Sequence, residues 1–122
     1  PEDRTLTWCG AGHQGFCLSP NGQTTELAAT DLVLGINTSI EYHEQTVSLS
    51  SGELILIPTD GFFEVFDDNR TMLGVGGFLQ LAKSSAHQPL AEMIDSIRSG
   101  CTSFAKSNVI SDDMTCVVVR VL

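Results

Sequence analysis

Three acidic positions stand out by their surroundings. Asp60 follows the apolar run Leu54-Ile55-Leu56-Ile57 through Pro58 and Thr59, and Gly61 turns the chain away from it. Asp112 and Asp113 immediately precede a second apolar run centred on Val117-Val118-Val119. If both runs are strands and they lie antiparallel, the end of one and the start of the other share a sheet edge. Acids 52 positions apart then converge in space. Ionised carboxylates brought together repel, more so as water is withdrawn, and a divalent cation relieves that repulsion. An all-oxygen donor set favours Mg²⁺ or Mn²⁺ over zinc or copper. A plainer reading exists for the same residues. Thr-Asp-Gly is common turn chemistry, Ser111-Asp112-Asp113 suits a solvated loop, and Glu64, Asp67 and Asp68 read as a solvated charge run. Pattern alone leaves both readings open.

The remaining chemistry-bearing side chains are less informative. Cys9, His13 and Cys17 are evenly spaced, which invites a zinc reading, but no fourth ligand is evident and the stretch reads as two strands around a Gly-rich turn. Cys101 falls on an apolar helical stripe and Cys116 in an apolar strand, where free cysteine acts as a small hydrophobe. His13 alone reads as a hydrogen-bonded turn histidine.

Composition narrows the setting. Six Lys and Arg against 15 Asp and Glu give the 122 residues a formal charge of −9, too few cations for a nucleic-acid or anionic-membrane footprint. Apolar runs of four or five residues fall far short of the ~20 that a membrane span requires, and no segment resembles a signal peptide. A hydrophobic content of 42% fits a globular chain, and this length fits one domain. The expectation is a soluble, cytoplasmic protein.

The elements that must position the acids follow from periodicity. Thr5–Cys9 alternates and reads as a strand, Gly10–Gly15 as a turn, and Phe16–Leu18 as the second strand of a hairpin. Pro20-Asn21-Gly22 is strong turn chemistry. Residues 26–40 read mostly as loop. Gln45–Leu49 and Glu53–Ile57 read as strands, with Ser51-Gly52 as a hairpin connection between them. Pro58 is out of place in a central strand because it lacks a ladder donor, which suggests an edge or a bulge. Val75, Phe78, Leu79 and Ala82 then sit at helical spacing, and Leu90, Met93, Ile94, Ile97, Cys101, Phe104 and Ala105 trace a longer helical stripe opened by Pro89. Residues 115–122 read as a last strand. Segregated strands and helices predict an α+β layered domain.

Three segments occur in order: Ala11-Gly12-His13, Thr59-Asp60-Gly61-x-x-Glu64, and Asp112-Asp113-x-Thr115, with weaker matches at Leu34-Gly35-Ile36, Gly52-Glu53-Leu54 and Leu73-Gly74. Together they resemble the C-terminal half of the bacterial metal-dependent serine phosphatases, the branch of the type 2C phosphatases that holds stage II sporulation protein E and sigma-factor regulators. The resemblance implies part of an α-β-β-α sandwich, with antiparallel sheets and two helices packed on one side, and a binuclear Mn²⁺ or Mg²⁺ centre. It implies Asp60 and Asp112 as metal ligands, with Asp113, Gly61, Thr59 and His13 as supporting positions around them. The implied reaction is hydrolysis of phosphoserine or phosphothreonine on a regulatory protein, such as an anti-sigma-factor antagonist, by metal-activated water with no side-chain nucleophile. It also implies a sensory domain linked in the parent chain.

The sequence departs from that family at its front. The family's first half holds a Gly-Asp segment with another ligand aspartate. Nothing here corresponds, and Asp3 and Asp31 lack its setting. Residues 1–122 are therefore expected to form a single, partial domain without the N-terminal half. Two other roles stay open: a non-catalytic phosphatase-like module that binds a partner, and a structural piece that closes its open faces by forming a homodimer.

Overall fold

The computed structural model describes residues 4–110 and 112–122; Asp3 and Ser111 lie outside the described residues. The element order is β1 (Thr5–Trp8), β2 (Gly15–Leu18), β3 (Thr24–Leu27), β4 (Gln45–Ser48), β5 (Leu54–Pro58), a 3₁₀ turn (Asp60–Phe62), α1 (Gly74–Ser85), α2 (Leu90–Ala105) and β6 (Cys116–Arg120). The architecture is α+β, with two antiparallel sheets and two helices. The chain divides into two compact units, the described residues up to Ile57 with Val119–Leu122, and Pro58–Val118.

The first unit is a two-layer β structure. One sheet pairs β1 with β4, and the other has the order β3-β2-β5-β6, of which only Val119–Arg120 of β6 falls in this unit. Neither expected hairpin forms. β1 pairs with β4, Thr5 opposite Ser48 and Trp8 opposite Gln45, while β2 pairs with β3 and β5. The reason is the distribution of apolar faces. β1 and β4 each offer one apolar side, with Leu6, Trp8, Val47 and Leu49 packed against Cys17, Leu27 and Ile55 of the other sheet. Sheets buried on one face close face to face, so the Gly-rich turn after β1 and the Ser51-Gly52 turn both carry the chain from one layer to the other. Gly52 takes φ +84, a left-handed conformation, and the Glu53 carboxylate accepts the Ser50 N–H at 2.8 Å to fix that crossing.

β3 occupies part of the stretch expected as loop. Its Thr-Thr-Glu-Leu sequence has one apolar residue, Leu27, and the strand sits at a sheet edge, where a single inward side chain suffices and alternation is nearly invisible. The Pro20-Asn21-Gly22 turn does close β2, returning the chain into β3 through Ser19 N–H to Gln23 O at 2.9 Å. Cys17 is buried between the sheets and its thiol is pushed up to about 11 by burial and by the Glu53 charge, so it is a core residue and the Cys9-His13-Cys17 zinc arrangement does not arise.

The second unit packs α1 on α2. Phe78 of α1 is fully buried and meets the rings of Phe62 and Phe63 at centroid distances of 5.5 and 5.4 Å, in tilted and edge-on geometry. From α2 come Met93, Ile97, Cys101 and Ala105, all buried at steps of four. Gly100 explains itself by proximity: a Cβ there would lie 2.4 Å from Leu81 Cδ2 of α1. Pro89 caps α2, its carbonyl accepting the Met93 N–H at 2.9 Å. Phe104, expected on the buried stripe, is only partly buried. Phe78→Ala should therefore cost about 3–5 kcal/mol in chemical denaturation and Phe104→Ala clearly less; equal losses would contradict this assignment of the aromatic core.

Candidate metal centre

The second unit brings the Thr59-Asp60-Gly61 and Asp112-Asp113-x-Thr115 segments against each other. Pro58 ends β5 two residues beyond the last pair with β2, Phe16 opposite Leu56. Its missing N–H thus falls where the β2 ladder has already stopped. Thr59 is extended, with φ −81 and ψ 163, and its N–H donates to Thr115 O at 2.8 Å. Its hydroxyl works in both directions, donating to Asp113 O at 3.2 Å and accepting the Thr115 N–H at 3.0 Å. Three hydrogen bonds therefore fasten one threonine to the segment just ahead of β6.

Asp60 opens the 3₁₀ turn, and its carbonyl accepts the N–H groups of Phe63 and Glu64 at 2.7 and 2.9 Å. That turn sets its exposed side chain at the point where the chain leaves β5. Gly61 is buried, and a Cβ on it would lie 2.3 Å from Asp113 O and 3.5 Å from Asp112 O. Only a residue without a side chain lets the two acidic segments approach this closely. Asp112 is exposed, and its Oδ1 accepts the Asp113 N–H at 2.8 Å, which folds the carboxylate back over its own turn.

Immediately beyond, residues 66–73 form a tight loop. Asp67 Oδ1 accepts the N–H groups of Asn69 and Thr71 at 2.9 and 2.8 Å, and these amides hold the carboxyl below the ordinary aspartate range. Ser107 bonds Asp68, and Asn108 Nδ2 donates to Phe66 O at 3.2 Å. A cavity of about 150 Å³ opens here beside Glu64, Asp67, Arg70 and Asn108. Asp67 and Asp68 thus organise a turn, which sharpens the reading of them as a solvated charge run.

Asp60, Gly61, Thr59, Asp112 and Asp113 accordingly share one neighbourhood. His13 belongs to the first unit, where it is exposed and lines a separate cavity. The donor chemistry of Asp60 and Asp112 suits a hard cation in part: both offer carboxylate oxygen, but no group of three or more His, Cys, Asp or Glu able to hold a metal occurs among the described residues. Sequence reasoning did not foresee the double use of the Thr59 hydroxyl. Its signal was slight, a β-branched hydroxyl residue between a proline and an aspartate.

Comparison with known proteins matches the chain to a family. The family model for stage II sporulation protein E (SpoIIE) covers residues 1–122, so the chain belongs to that family of PP2C-type phosphatase domains. Among solved structures, the SiaA-PP2C domain of Pseudomonas aeruginosa is 23% identical with a TM-score of 0.82, over 96% of this chain and 46% of that one. The PP2C phosphatase domain of the cell fate determinant SpoIIE from Bacillus subtilis, solved with a fragment of its regulatory domain, is 23% identical with a TM-score of 0.76, over 98% and 34%. RsbX, solved in complex with magnesium, is 19% identical with a TM-score of 0.56, over 96% and 49%. The present chain thus spans about half or less of the structures it resembles. A search of curated proteins found no match.

The close approach at Gly61 generates a prediction. Gly61→Ala should force the 112–115 segment outward and lower thermal stability. An unchanged melting temperature would show that the two segments do not depend on that contact.

Proposed function

We propose that this chain is the second half of a divalent-metal-dependent protein serine/threonine phosphatase domain that removes phosphate from phosphoserine or phosphothreonine on a regulatory protein. The observation that carries the proposal is the abutment of the Asp60 and Asp112 segments through Thr59 and Gly61. Family membership supports it.

Asp60 and Asp112 would hold Mn²⁺ or Mg²⁺, a choice supported by their hard oxygen donors and by the magnesium in RsbX. When bound, such a metal pair supplies an activated water and neutralises phosphoryl charge. The chain's own residues do the positioning. Thr59 fixes the spacing between the two acidic segments, Gly61 keeps the gap between them clear, and Asp113 stands beside Asp112 as a supporting acid. His13 keeps only the place that the family pattern gives it.

In this reading residues 1–122 form one partial domain, cytoplasmic, acting on a phosphorylated protein partner and linked to a sensory domain. No helix among the described residues is long and apolar enough to cross a membrane. A second reading, a non-catalytic module for partner binding or dimerisation, draws on the lack of a three-ligand cluster among the described residues.

The test is Mn²⁺-dependent hydrolysis of p-nitrophenyl phosphate by the longer domain of the parent gene. Asp60→Asn and Asp112→Asn should each abolish turnover, as should chelation of the metal, while circular dichroism stays unchanged. Loss of the repulsion between the acids should leave the metal-free melting temperature equal or higher. Full activity in both variants would refute their assignment as ligands. A parent domain inert in Mn²⁺ would favour the non-catalytic module.

A further inference from the structure

The turn between β2 and β3 holds two neighbouring residues that are able to react with each other. Four asparagines occur in the chain, followed by Gly22, Thr38, Arg70 and Val109. A main-chain nitrogen can attack the side-chain amide of the asparagine before it, closing a five-membered imide ring. Glycine leaves that approach open, since it has no Cβ to crowd the nitrogen. The turn itself demands glycine here, because Gly22 takes φ +84, and the space around it is clear for 4 Å beyond its chain neighbours. Asn21 is exposed, so water reaches the ring once it forms.

The amide is also polarised. Asn21 Oδ1 accepts the Gln23 N–H at 3.0 Å and a bond from the Ser19 hydroxyl, which shares its proton with Gln23 O at 3.0 Å. Negative charge develops on Oδ1 as the nitrogen attacks, and donors already in place stabilise it. One interaction works the other way. The Gly22 N–H donates to Ser19 O at 2.9 Å, and that bond must open before the nitrogen loses its proton. The turn therefore slows the attack relative to an open chain without blocking it. Asn37 supplies the contrast. Its Oδ1 accepts the Ser39 N–H at 2.9 Å in the same kind of Asx turn, but the residue that follows it is the β-branched Thr38.

We propose that Asn21 is a site of spontaneous deamidation in the folded protein. The Gly22 nitrogen bonds to Asn21 Cγ, the Cγ–Nδ2 bond breaks, and Nδ2 leaves as ammonia with the Gly22 proton. Water then opens the imide. Opening at the side-chain carbonyl gives aspartate. Opening at the main-chain carbonyl gives isoaspartate, whose backbone runs through Cγ and is one carbon longer. Either product adds a negative charge. Isoaspartate also displaces the Ser19 N–H to Gln23 O and Gly22 N–H to Ser19 O bonds, which stand at the head of the register that sets Leu18 opposite Thr24. β3 pairs with β2 alone among the described strands, so a lost turn loosens the edge strand that buries Leu27. None of this involves Asp60 or Asp112, and the proposal stands or falls separately from the phosphatase reading.

The chain, and the longer product of its gene, are incubated in mildly acidic and mildly alkaline buffer and their peptides are sequenced by mass spectrometry. Fragment ions distinguish isoaspartate from aspartate. Asn21 should convert well ahead of Asn37, Asn69 and Asn108 in both proteins, with isoaspartate among the products. Its rate should rise about tenfold per pH unit, as the ionised fraction of a very weakly acidic N–H does. Amide hydrogens of β3 should exchange faster as the converted fraction grows. In Asn21→Gln, whose side chain would have to close a larger ring, β3 exchange should stay constant over the same incubation. Four results would overturn the proposal: Asn21 converting no faster than Asn37, conversion only after the chain is unfolded in urea, an intact Asn21 in the longer product, or β3 exchange that rises equally in Asn21→Gln.

Discussion

The absence of a side chain at position 61 is the constraint on which the acidic neighbourhood depends. Asp113 O occupies the space that a Cβ would need, so the two segments approach along bare backbone. Thr59 then converts closeness into fixed register. Its N–H, and its hydroxyl acting as both donor and acceptor, reach Thr115 O, Asp113 O and Thr115 N–H. Each neutral hydrogen bond adds only about 1 kcal/mol net, and this one is solvent-exposed. Its consequence is positional more than energetic. A valine of the same shape would fill the same space, keep the backbone bond to Thr115 O, and leave Asp113 O and the Thr115 N–H to water.

That geometry also accounts for Pro58. A proline inside a paired strand removes a ladder bond, and the sequence alone suggests an edge or bulge there. β5 is flanked by β2 and β6 and so is not an edge. The proline sits at its last residue, past the pairing with β2. The chain is released from one neighbour there, turns at Asp60-Gly61, and stays tied to the other through Thr59. Strand end, turn and ligand candidate are thus consecutive because backbone pairing stops at one place.

How much of this was legible in the sequence differs from element to element. Both helices were, since α2 buries residues at steps of four and Pro89 and Gly100 have local explanations. β1, β2, β4, β5 and β6 were legible as strands. Their partners were not. A short turn such as Ser51-Gly52 looks the same whether the chain returns in one sheet or crosses to the facing one, and only the match between apolar faces decides. β3 was hidden because an edge strand needs one buried residue, Leu27, and its other positions remain polar. The shared neighbourhood of the Asp60 and Asp112 segments was legible because it needs only two strand ends and antiparallel order. Thr59's double hydrogen bond was not, because hydroxyl geometry leaves no periodic trace.

The two acidic features of the chain obey different physics. At Asp60 and Asp112 the carboxylates are exposed on abutting turns, and Asp112 Oδ1 accepts the Asp113 N–H. Repulsion there is tolerable in water and becomes costly only as water leaves, which is the circumstance in which a hard cation gains most from binding. At Asp31 the protein supplies its own compensation, two hydrogen bonds from His43 and a lowered carboxyl affinity for protons. A carboxylate satisfied in this way has little left to offer a metal, and its role is to fasten a loop. The contrast separates exposed acids on a turn from an acid that is already structural, a distinction that composition, with 15 carboxylates in 122 residues, cannot draw by itself.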